Sequence, residues 1–125
     1  MNFWHWLRGG LSVRYTAMRL YRRGMKHAKL HDHPAAIADY TQVIELAEAP
    51  PKIRAMALFN RALVHSSTEN KLEAINDLRS LLEMVEAPAE VKTEAQRKLV
   101  RMDRNLTREP SPQGNADINS SNLTG

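Results

Sequence analysis

The chain has 125 residues, 42% of them hydrophobic, with no cysteine and a formal net charge of +4. That length suits one domain with tails; the missing cysteine excludes a disulfide framework and a thiolate metal site, and makes a reducing, cytoplasmic setting the expected one. The charge is uneven: Arg8, Arg14, Arg19, Arg22, Arg23, Lys26 and Lys29 all precede Asp32, the first of the 14 acids.

Residues 1–14 form a basic aromatic segment that holds both tryptophans, Trp4 and Trp6. Its apolar run is broken by His5 and Arg8 and stopped by Gly9-Gly10, far short of the ~20 residues that cross a bilayer. The unbroken apolar core of about 7–15 residues that a signal peptide needs is also missing. The Asn-X-Ser/Thr triplets at Asn105, Asn119 and Asn122 are therefore not expected to carry sugar. The indole rings are expected to cap the exposed end of a helical array, with an interfacial membrane contact as the alternative. The cations around them suit an acidic partner, an anionic membrane or nucleic acid, or else a solvated face.

From about Val13 to Leu30, the apolar or small residues Ala17, Leu20, Tyr21, Gly24 and Ala28 recur at helical spacing. His31-Asp32-His33-Pro34 breaks the pattern. Asp32 is placed to cap a second helix, in whose first turn proline sacrifices no hydrogen bond. That helix spans about Ala35–Ala47 and buries Ala36, Ile37, Tyr40, Val43, Ile44 and Leu46. Pro50-Pro51 ends it and opens a third, about Lys52–Ser67, with Ile53, Ala55, Met56, Leu58, Phe59, Ala62 and Leu63 as its apolar set. A turn at Ser66–Asn70 leads to a fourth helix, about Lys71–Glu86. Asn70 and Glu73 have the spacing of a capping box, and Leu72, Ala74, Ile75, Leu78, Leu81, Leu82 and Val85 supply the apolar face. Pro88 starts a fifth helix, to about Asn105, polar around most of its girth as a terminal capping helix must be. Residues 106–125 are rich in Ser, Asn, Pro and Gly and read as disordered.

Two of these stretches spell nearly the same phrase. Glu45-Leu46-Ala47-Glu48-Ala49-Pro50 returns 38 residues later as Glu83-Met84-Val85-Glu86-Ala87-Pro88. The same offset superposes His27 on His65, Ala36 on Ala74, Ile37 on Ile75, Asp39 on Asp77 and Ile44 on Leu82. A fixed period of about 20–50 residues marks an array whose units bury their apolar faces only by stacking. The expected fold class is all-α: two stacked helix-turn-helix repeats plus a C-terminal capping helix, together residues 15–105.

His27, His31 and His33 with Asp32 form the one ligand-like cluster. His27 and His31 are four apart on a helix, but the glutamate of a zinc-protease pair is missing between them and His33 lies beyond the helix. They read as turn and surface histidines. His27 and His65, repeating with the period, read as packing residues whose N–H groups need polar partners. Gly9-Gly10 lacks the further glycine, Lys and Ser/Thr of a phosphate-cradling loop. The carboxylates fall mostly on exposed helix faces, with no pair isolated among apolar residues. No catalytic residue, metal or cofactor is expected, and the chain does not read as an enzyme.

These residues resemble tetratricopeptide repeats over about residues 16–102. Gly24 takes the small position where paired helices pack closely, and Ala36, Tyr40 and Val43 follow the pattern of the second helix. Ala62, Ala74, Leu78 and Leu81 occupy those places in the second unit. Phe59-Asn60-Arg61-Ala62 looks like the family's aromatic-Asn-x-small segment, and Ala36-Ile37-Ala38-Asp39-Tyr40-Thr41 is close to its second-helix consensus. The period exceeds the usual 34 residues, and the excess falls at Ala47–Pro50 and Val85–Pro88. That form is similar to a bacterial subtype in which an Ala-Pro pair ends one unit.

The resemblance implies a short right-handed solenoid whose first helices line a concave groove. By the motif match, Met18, Tyr21, Arg22, Met25 and Lys29 line it from the first unit, and Met56, Phe59, Asn60, Leu63 and Ser67 from the second. Lys98 and Arg101 would come from the final helix. Methionine adapts to irregular partners, an aromatic ring anchors, and an amide holds a peptide backbone. The cations beside them suit an acidic or carboxylate-ended peptide. The family's carboxylate clamp places Lys and Asn where Tyr21 and Met25 stand, so only Asn60 fits it. The expected function is a non-catalytic adaptor or scaffold that binds a peptide or partner protein in this groove. The alternative is a membrane-surface or nucleic-acid-associated adaptor using the basic Trp-containing front. A core this thin also points to weak homo-oligomerisation.

Overall fold

The computed structural model describes the backbone of residues 3–107 and the side chains of residues 12–104. Among the described residues there are five helices and no strand: α1 (Phe3–Lys29), α2 (His33–Glu45), α3 (Pro51–Ser67), α4 (Lys71–Glu83) and α5 (Ala89–Thr107). Each helix packs on the next in sequence, and in addition α1 touches α3 and α3 touches α5. The odd-numbered helices therefore make one continuous layer, with α2 and α4 set against it and not packed on each other.

Two apolar cores result, and α3 serves both. Ile53, Ala57 and Val64 join Ala17, Leu20, Tyr21, Ala36, Tyr40 and Val43 in one; Ala55, Leu58 and Ala62 join Ala74, Leu78, Leu81, Ala95, Leu99 and Met102 in the other. A helix with apolar residues on two flanks cannot hide both alone, which is why the second unit must lie against the first. Small residues let the backbones approach. Gly24 is the extreme case: a Cβ there would stand 2.6 Å from the Tyr40 ring, closer than atoms can sit.

The ends of the helices repeat as faithfully as the cores. α1 closes with the Asp32 N–H donating to the His27 carbonyl, and α3 with the Asn70 N–H donating to the His65 carbonyl, both at 2.9 Å. Between them His31 and Glu69 take left-handed backbone angles, φ 61 and 65, the geometry that ends a helix by returning its chain over the last turn. The Asp32 carboxylate then caps α2, accepting from the Ala35 N–H at 3.3 Å.

Each unit also carries a buried carboxylate held by an arginine 16 residues before it. Arg23 donates two hydrogen bonds to Asp39, at 3.0 and 2.8 Å, and Arg61 two to Asp77, at 2.8 and 2.6 Å. Asp39 and Asp77 are only 4% and 6% exposed, two exceptions among described carboxylates that otherwise lie on exposed faces, as expected for most of them. A buried carboxylate is tolerable only when paired and hydrogen-bonded, and the bidentate guanidinium supplies both. Arg61 also donates to the Thr41 hydroxyl at 2.8 Å, tying the second unit to the first.

Several sequence expectations shift. α1 begins at Phe3 rather than near Val13 and runs through Gly9-Gly10; glycine costs a helix about 1 kcal/mol against alanine but keeps its N–H, so it weakens a helix without breaking it. α2 and α4 end at Glu45 and Glu83, short of Ala47 and Glu86, where Leu46 and Met84 turn extended. The capping box does not form: Asn70 donates to the Thr68 hydroxyl at 3.2 Å and makes no side-chain cap. Leu72 and Val85 are 70% and 91% exposed rather than core, because one lies in the first turn of α4 and the other beyond its end. Of the tail expected to be disordered from 106, residues 106–107 continue α5 and the rest falls outside the described residues, as do the Trp4 and Trp6 side chains expected to form a cap.

Candidate functional site

The layer of odd helices carries a pocket of about 270 Å³ where α1, α3 and α5 meet, lined by Tyr21, Met56, Phe59, Asn60, Glu90, Val91 and Glu94. Four of the residues expected to line the groove, Tyr21, Met56, Phe59 and Asn60, therefore come together here. The Asn60 amide donates to the Tyr21 hydroxyl at 2.7 Å, bridging α1 and α3 across 39 residues of sequence. Accepting that bond uses a lone pair of the phenol and leaves its proton to donate. Burial pushes the Tyr21 phenol upward, offset in part by the Asn60 bond.

Below the pocket the Tyr21 ring lies 6.1 Å from that of Tyr40, tilted by 47°. Tyr40 is 1% exposed, and burial, with smaller contributions from Tyr21 and Asp39, pushes its phenol up to about 12. Of this aromatic pair Tyr21 lines the pocket, and its ring packs on that of the buried Tyr40. Asp39 in turn holds the Arg23 guanidinium above its ordinary range, chiefly by hydrogen bonding.

The other sequence-derived site residues lie elsewhere. Arg22, Met25 and Lys29 are exposed on α1 and Leu63 is 37% exposed on α3, all outside the pocket lining. Lys98 is half-buried; Arg101 lines a separate hollow on α5 with Gln96, Arg97, Val100 and Arg104. The Ser67 hydroxyl is taken by the Val64 carbonyl at 2.8 Å. Met18 lines a larger hollow of about 730 Å³ with Arg14, Tyr15, Pro50, Lys52, Ile53 and Met56. Met56 lines both hollows, so they adjoin.

Sequence reasoning missed Glu90, Val91 and Glu94. A 38-residue shift makes Val91 and Glu94 the equivalents of Ile53 and Met56, whereas Lys98 and Arg101 match Asn60 and Leu63. The pocket thus meets α5 about a turn nearer its start than it meets α3. Helices that cross at an angle meet out of register in this way, so positions 38 residues apart on α3 and α5 do not face the same pocket.

His27 lies between two carboxylates, its Nε2 3.6 Å from Asp39 and its Nδ1 3.9 Å from Asp32. The His31 and His33 rings stack edge-on at 5.9 Å. Among the described residues, no three His, Cys, Asp or Glu side chains gather to hold a metal ion, and no helix is long and apolar enough to cross a membrane. No family model, curated protein or solved structure matches the chain.

Proposed function

We propose that this protein is a non-catalytic interaction module that captures a peptide or partner protein along its layer of odd helices. The observation that carries the reading is the α1–α3–α5 pocket, in which Met56, Phe59 and Asn60 of α3 meet Tyr21 of α1, bonded to Asn60, and Val91 of α5. Apolar concavities with a few placed polar groups are the usual shape of a recognition site. The adjoining hollow at Met18 and Ile53 lengthens it into a groove that an extended segment would follow. The repeat architecture supports the same reading: two units 38 residues apart, each a helix pair, stacked with a polar helix at the end as in a short tetratricopeptide-type solenoid.

Phe59→Ala with Asn60→Ala removes the pocket's ring and its amide while leaving the buried core positions Leu58 and Ala62 in place. Peptides captured by the wild-type chain from a displayed library are expected to bind the double variant at least roughly tenfold more weakly, as for loss of an interface anchor. Undiminished binding would remove this pocket as the site.

A second reading rests on the basic end of the same face. Arg14 and Lys52 flank the exposed Tyr15 in the larger hollow, and the first 31 residues carry no acid. These features suit an anionic membrane surface or nucleic acid. Binding to anionic vesicles or RNA that is lost as salt rises, and lost on deleting residues 1–14, would favour it over the groove.

A further inference from the structure

The pocket has a charge that capture of a peptide does not by itself require. Its floor is apolar and aromatic, with Met56, Phe59 and Val91 beside Tyr21, and its charged lining residues among those described are Glu90 and Glu94. None of Arg22, Lys29, Lys98 and Arg101, the cations that suited an acidic partner, lines it. Resting on the groove reading above, we infer that this pocket takes a single basic side chain, lysine or arginine, from the bound segment.

The geometry suits that chemistry at each level. A volume of about 270 Å³ admits one long side chain, not a folded element. The aliphatic stem of lysine or arginine lies well against methionine and valine, while its charged head stays at the open rim. There it meets two carboxylates, and a ring face attracts a cation as well. Glu90 stands in the first turn of α5, where the helix dipole sustains a negative charge. Glu94 accepts one hydrogen bond from Arg97 at 2.9 Å, but both side chains are more than half exposed, 58% and 68%. Such a surface pair holds weakly, and the carboxylate keeps further lone pairs for a ligand.

The neighbouring hollow limits how basic the segment can be. Arg14 and Lys52 line it, and it joins the pocket at Met56. A run of lysines would meet those cations within a few residues. One basic residue flanked by apolar or acidic ones fits both hollows.

A positional-scanning library of capped decapeptides, bound to the full chain at about 0.15 M salt where surface charges are screened beyond ~8 Å, tests this. The wild type is expected to select Lys or Arg at one position and to reject an all-basic flank. Glu90→Gln with Glu94→Gln, which keeps side-chain size, is expected to lower the Lys/Arg preference roughly tenfold at unchanged thermal stability. Glu94→Lys is expected to turn the preference towards Glu or Asp. Peptides selected with no charge preference, or with acidic residues favoured at every position, overturn the basic-side-chain inference while the groove stands. If nothing is selected beyond what Phe59→Ala with Asn60→Ala selects, the groove itself is rejected, and this inference with it.

Discussion

Gly24 shows how a single side chain is set by its neighbour. With a Cβ 2.6 Å from the Tyr40 ring, no other residue fits unless the ring moves. In the second unit the equivalent pair is Ala62 and Leu78, both fully buried; a smaller partner there leaves room for the extra methyl. Gly24→Ala is expected to cost about 1–3 kcal/mol by overpacking, and Tyr40→Leu alone to cost a comparable amount through the space it leaves. Together they recreate the second unit's pairing, so the double variant is expected to recover about 1–2 kcal/mol relative to the summed losses. Urea unfolding of all four proteins measures this coupling; strictly additive losses would show that the two positions do not meet. The small positions were readable from the chain, since Gly24, Ala36, Ala62 and Ala74 recur with the period. That Gly24 must be glycine was not, because it follows from the size of a ring one helix away.

At the scale of elements, the arginine–aspartate pairs link the two helices of each unit. Their recurrence was present in the sequence: Arg23 and Arg61, like Asp39 and Asp77, are 38 apart, and each arginine precedes its aspartate by 16. The period shows that these residues repeat, but not that an arginine on one helix reaches an aspartate on the next, which depends on how the two helices pack. The two pairs differ in burial, with Arg61 19% and Arg23 49% exposed. Asp77→Ala leaves the better-buried guanidinium without its carboxylate and is expected to cost about 3 kcal/mol; Asp39→Ala is expected to cost clearly less, because solvent reaches Arg23. Thermal or urea melts rank them, and an equal or reversed order would contradict this account of the pairs. Helix existence was legible from the 3.6-residue period, while the ends were not. Gly9-Gly10 looked like a stop and is not one, and Val85 looked apolar-faced but lies past the end of α4.

At the scale of the whole molecule, stacking turns two ordinary helix pairs into a shared face. α3 belongs to both cores and supplies Met56, Phe59 and Asn60 to the pocket. Tyr21, Phe59 and Asn60 were named from the sequence because motif register alone places them on first helices. The acidic rim was not, since it depends on where along its length α5 meets the pocket, a quantity no single helix encodes. The same offset keeps Lys98 and Arg101, further along α5, out of the pocket they were expected to line. The central claim, that the odd-helix face is where a partner lies, is tested most directly by mapping amide and side-chain NMR shifts of the full chain on adding a selected peptide. Changes are expected at Tyr21, Met56, Asn60, Val91 and Glu94, including the Asn60 side-chain amide that binds the Tyr21 hydroxyl. Changes confined to the exposed faces of α2 and α4 would contradict it.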